Sequence, residues 1–115
     1  MIDLQLVIWC LEELASREKQ ERLWLSDGSS GEVSSFEETV CQLFDDSGVS
    51  RELRSGKLRL VFPKRFCDCF EKIDAHIGKV PQQQPPLEII NHPEMEIIRG
   101  LCKELLQIIA NEQLL

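Results

Sequence analysis

The segment 93–113, "PEMEIIRGLCKELLQIIANEQ", limits what this chain can fold into more than any other. Placed at 100° per residue, Met95, Ile97, Ile98, Leu101, Cys102, Leu105, Leu106, Ile108 and Ile109 cover about half of a helix circumference, while Glu96, Arg99, Lys103, Glu104, Gln107 and Asn111 cover the other half. An apolar face that wide touches more than one neighbour. The segment is therefore either the central helix of a bundle or a helix shared with a second subunit. Pro93 suits its first turn, where a missing N–H costs nothing, with Asn91 or His92 as the cap.

The remaining apolar residues supply partners for it. Over 4–22, Leu4, Val7, Ile8, Leu11, Leu14 and Ala15 form one stripe, and Glu13 with Arg17 and Glu18 with Arg22 stand acid before base at the i,i+4 spacing. A second helix begins at Ser35, where Ser35 and Glu38 have the spacing of a capping box; Phe36, Val40, Leu43 and Phe44 share its inner face and Gly48 ends it. A turn of helix capped by Ser50 and stopped at Gly56 precedes "KLRLVF", whose alternation of Leu58, Leu60 and Phe62 predicts an extended segment. From Pro63 a further helix carries Phe66, Cys69, Phe70, Ile73, Ile77 and Val80 inward and leaves Cys67 on the polar side. "PQQQPP" at 81–86 reads as a stiff exposed linker.

The expected fold is thus mainly α: a small bundle of four to five helices with one short extended segment near 57–62, forming a single domain over 1–115. A chain of 115 residues that is 43% hydrophobic is long enough for one core and too short for two. Its apolar runs are too short to cross a bilayer, and Asp3, Glu12 and Glu13 stand where a signal peptide needs basic residues. Five scattered cysteines are an odd number and point to reduced thiols, so a cytoplasmic location with no membrane role is expected.

Four chemical readings fail on residue type or spacing. "DGSSGEVSS" lacks the lysine of a phosphate loop and the alternating acids of a calcium loop; Asp27-Gly28 makes a turn, Ser29-Ser30-Gly31 a flexible joint, and Ser35 with Glu38 the next cap. Cys67 and Cys69 lie two apart on a helix and point in nearly opposite directions, so no metal and no cofactor is expected. His76 and Cys69 are seven residues apart, roughly 10 Å along one helix, too far for a nucleophile pair, and no catalytic residues are assigned.

What remains is surface. The chain carries −7, unevenly: residues 51–65 hold Arg51, Arg54, Lys57, Arg59, Lys64 and Arg65 against Glu52 alone, a local +5, so the remainder is −12. Leu6 and Trp9 lie off the main stripe of the first helix and form a candidate contact patch; Trp24 reads as a core plug. The expected function is a small acidic non-enzymatic protein-interaction module, immunity- or antitoxin-like, using Leu6, Trp9, Glu12, Glu13, Asp45 and Asp46 on a basic protein partner, or self-associating as a homodimer. The rival is a nucleic-acid-associated adaptor using the basic segment 51–65, against which the overall charge argues.

Overall fold

The computed structural model describes residues 1–29 and 31–114. Asp3 starts the first helix, α1 (Leu4–Ala15), by accepting the Leu6 N–H at 3.1 Å. The helix stops at Ser16, which is extended (φ −119°, ψ 111°) and caps α2 (Arg17–Trp24) through its hydroxyl to Lys19 N. The single helix expected over 4–22 is therefore two. Gln20 explains the break: its amide nitrogen donates to the carbonyls of Glu13 and Leu14 at 3.2 and 2.9 Å, satisfying the open end of α1 with a side chain from the next helix.

Ser35 caps α3 (Phe36–Cys41) by accepting Glu38 N, as the spacing predicts. The chain continues through a π-helical turn (Gln42–Asp46) that buries Leu43 and Phe44 and turns Asp45 and Asp46 to solvent. Gly48, at φ +89°, reverses direction into α4 (Val49–Ser55), so the helix begins at Val49 rather than under a Ser50 cap. Gly56, at φ +80°, does the same into α5 (Lys57–Val61).

The extended segment expected near 57–62 is thus helical. No strand exists among the described residues to pair with it, and a turn of helix satisfies the backbone locally, with Phe62 N donating to Leu58 O at 2.8 Å. The alternation at 57–62 does not describe its burial: Leu58 is buried, whereas Leu60 is 84% exposed.

Pro63 precedes α6 (Lys64–Ile77), and all six residues expected on its inner stripe are buried. Cys67, expected on the polar side, is buried as well. The face it occupies is covered by α5, from which Arg59 reaches Asp68 at 3.1 Å and also Glu71, one turn beyond Cys67. Phe62 stacks on Phe66 with centroids 4.6 Å apart, and Phe70 meets Phe44 edge-on, so aromatic contacts join α5, α6 and the π turn. Of the linker expected at 81–86, Pro86 instead opens a short helix, α7 (Pro86–Ile90), which packs on α2.

The last helix, α8 (Pro93–Asn111), is capped by His92, whose ring nitrogen accepts Glu94 N. It lies between α1 and α6 and buries Met95, Ile98, Cys102, Leu105, Ile108 and Ile109 within one continuous core. These contacts on two sides are those of a central helix, and of the expected stripe Ile97 stays exposed. The expected polar side contains one exception. Arg99 is buried, donating to the Gln20 side-chain oxygen at 3.0 Å and to the Ile90 carbonyl at 2.6 Å. The fold is mainly α, with eight α-helices among the described residues rather than four or five. None of these helices is long and apolar enough to cross a membrane.

Candidate protein-binding surface

Trp9 stands on α1 with 68% of its surface exposed, beside half-buried Leu6. The helix turns these two away from α8, and the chain between α2 and α3 comes back alongside them. Together they wall a groove of about 520 Å³ whose lining includes Leu6, Trp9, Leu23, Val33, Glu38 and Gln42. Val33 is itself 63% exposed, so an indole and an isopropyl group face solvent across one depression. Glu12 is exposed one turn along α1 from Trp9, and Asp45 and Asp46 are exposed on the adjoining π turn. Burial, then Glu13 and Asp46, push the Cys10 thiol up to about 11. Lys19 and Arg22 also line the groove, and Arg22 is paired with Glu32 at 2.5 Å.

Glu13, expected at the contact surface, has an internal task. Its Oε2 accepts from Trp24 Nε1 at 2.8 Å, from the Ser34 hydroxyl at 2.8 Å and from the Thr39 hydroxyl at 2.5 Å. One carboxylate thus fixes α1 to the end of α2, to the connecting loop and to α3. The expected pairing of Glu13 with Arg17 is absent because α1 ends between them; Arg17 pairs with Glu21 and bonds Asn91 instead. Trp24 is buried against Phe36, as the core-plug reading requires. The loop itself is a series of local turns: Asp27 accepts Ser29 N, Ser26 accepts Gly28 N, and Gly31 N bonds Gly28 O. Ser30, expected in the flexible joint, lies outside the described residues.

The basic segment divides in two. Arg59 bridges Asp68 and Glu71, and Lys64 pairs with Asp68 at 2.8 Å, so these cations neutralise the protein's own acids. Arg51, Arg54, Lys57 and Arg65 are exposed and form no ion pair among the described residues. Between them the fold places something the sequence reading did not assign. Leu60 and Val61 are 84% and 75% exposed on α5, and with Ile2, Leu58 and Phe62 they line a second, mostly apolar groove of about 300 Å³. The signal was present in "LRLVF", but the extended reading put Leu60 inside.

The imidazoles and most thiols are occupied or buried. His76 Nδ1 lies 2.7 Å from Glu94, which holds that carboxyl below its usual range, and His92 caps α8. Burial pushes Cys69 up to about 11 and raises Cys67 and Cys102, while Cys41 is the exposed cysteine. Among the described residues no three His, Cys, Asp or Glu side chains are grouped to hold a metal ion. No protein-family model, no curated protein and no solved structure matches the chain.

Proposed function

We propose that the protein is a non-enzymatic binding module whose contact face centres on Trp9 and receives a basic protein. The observation that carries this reading is an exposed tryptophan in an open groove lined by Glu13, Glu32 and Glu38 as well as Lys19 and Arg22, with Glu12 exposed one turn along α1 and Asp46 exposed on the adjoining π turn. Aromatic residues at the centre of a contact supply most of its energy, and an indole face attracts Lys or Arg by roughly 0.5–2 kcal/mol, more when desolvated. The acidic surroundings add long-range attraction that speeds association. A non-catalytic role is supported by the structural engagement of His76 and His92 and by the raised thiols. An immunity-like protein covering a basic enzyme in the cytoplasm is the form of this reading that suits the −7 charge.

The test is co-purification with a tagged chain at low salt, comparing wild type with Trp9→Ser, with a Glu12→Gln/Asp45→Asn/Asp46→Asn variant, and with an Arg51→Gln/Arg54→Gln/Arg65→Gln variant. The reading requires a basic protein retained by wild type and by the arginine variant and lost by the other two. Glu13 is excluded from the acidic set because removing it would disturb the fold. Retention of a nucleic acid that only the arginine variant loses would establish the adaptor reading instead.

A further inference from the structure

We infer that the groove between Ile2 and α5 is a second docking site, and that its occupant is an acidic amphipathic segment of a protein. Two large aliphatic side chains, Leu60 and Val61, stand adjacent and largely in water on a five-residue helix that buries only Leu58. The groove they line is mostly apolar, and its volume of about 300 Å³ is at the small end of ligand-sized clefts, enough for a pair of anchoring side chains. Its borders select the sign of the visitor. Lys57 lines it, and Arg54 is exposed in the last turn of α4, two residues before the Gly56 that joins α4 to α5. Glu52, the acid among its lining residues, is bonded to the Met1 amino group at 3.1 Å.

The division of labour among the cations strengthens the case. Arg59 and Lys64 are committed to Asp68 and Glu71, whereas Lys57, at the apolar groove beside Glu52, is in no ion pair among the described residues. An amphipathic helix with aliphatic anchors at i and i+3 or i+4 and Asp or Glu beside them satisfies both features at once. Single-stranded bases stack best on exposed aromatic rings, whereas the two side chains that stand furthest into solvent here, Leu60 and Val61, are aliphatic. An anionic membrane would be repelled by the −7 of the whole chain and would not fill a concavity. The site shares no lining residue with the Trp9 groove.

Random peptides displayed on phage, selected against the full chain at low salt, give an unbiased occupant. Selected sequences are then synthesised and titrated by fluorescence anisotropy against wild type, Leu60→Ser/Val61→Ser, Arg54→Glu/Lys57→Glu and Trp9→Ser. The expected clones carry excess Asp and Glu around apolar residues at helical spacing. Their affinity should fall about tenfold or more in either of the first two variants, weaken with salt, and be unchanged in Trp9→Ser. All four residues of the double variants are exposed, so melting temperatures should match wild type and the losses can be read as binding. Clones without acidic excess, clones indifferent to both double variants, or no clones at all would overturn the inference. So would self-association of the chain abolished by Leu60→Ser/Val61→Ser, which gives the groove to a second copy, or tighter binding of duplex DNA or phosphatidylserine vesicles lost in the same variants.

Discussion

Glu13 accepts three hydrogen bonds on one oxygen from residues 11, 21 and 26 positions away, so its replacement should be felt across three elements. Glu13→Ala leaves the Trp24 N–H without its acceptor in a buried setting, and a loss of about 2–4 kcal/mol is expected in denaturant melts. The Trp24 fluorescence should shift toward that of a wetter indole in the same variant, whereas Glu12→Ala, on the exposed face, should leave both readings unchanged. The thiols offer a second check at this scale. Cys41 should be the cysteine alkylated by iodoacetamide in the native protein, with Cys10, Cys67, Cys69 and Cys102 reacting only on unfolding, because burial keeps those four as protonated thiols. Cys67→Ser and Cys69→Ser should each cost about 1–3 kcal/mol. A free substitution at Cys67 would show that α5 does not cover it.

Between elements, the joint that matters most runs from Gln20 to Arg99. Gln20 closes the end of α1 through its amide nitrogen and holds Arg99 of α8 through its oxygen, and Arg99 in turn satisfies the last carbonyl of α7. Arg99→Met keeps much of the apolar stem but leaves both acceptors unpaired, and a loss of about 2–4 kcal/mol is expected by thermal or denaturant melting. Gln20→Ala should weaken the same joint, and the double variant should cost less than the two single losses added together, since both remove one network. A second joint, His76 with Glu94, ties the end of α6 to the start of α8. The Glu94 carboxyl is held low, first by the His76 hydrogen bond and then by nearby Lys79 and both imidazoles. A carboxyl whose pKa is lowered in the folded state stabilises the protein above its unfolded value of about 4.3 and loses that contribution as pH falls through the folded value. Stability should therefore decline below about pH 4.3, less steeply in Glu94→Gln than in wild type, as acid titration followed by circular dichroism can measure.

For the whole molecule, α8 buries Met95, Ile98, Cys102, Leu105, Ile108 and Ile109 inside the chain, so the apolar surface open to a second copy is Ile97, the partly buried Leu101 and Leu106, and the Trp9 face. The Trp9 face is bordered by Glu12, Asp45 and Asp46, and a two-fold pairing would set like charges against like. Light scattering at low salt should accordingly give 13.3 kDa, with Trp9 quenched by acrylamide and Trp24 protected. A dimer that disappears in Trp9→Ser would reverse this and place a second copy on that face. The chain thus presents two apolar surfaces, one on α1 around Trp9 and one on α5 around Leu60 and Val61, joined through a core that runs from α1 through α8 to α6.

The sequence by itself determined the three helices that carry this core. In α1, α6 and α8 the apolar residues repeat at the helical period over ten residues or more, and such a face must be buried whatever lies opposite. The cap at Ser35 was equally legible and that of α8 was narrowed to Asn91 or His92, because a capping side chain acts within three residues of its own position. Even the break at Ser16 left a trace: the stripe of 4–22 has no member after Ala15. Only the tertiary structure decided the fate of 49–62, where elements of five to seven residues are too short for periodicity to choose between helix and strand. It also decided which polar residues go inside. Glu13, Gln20 and Arg99 look like solvated helix positions in one dimension. They become structural because residues distant in sequence, Trp24 and Thr39 for the first, Arg99 for the second and the Ile90 carbonyl for the third, meet the hydrogen-bonding capacity that burial would otherwise leave unsatisfied.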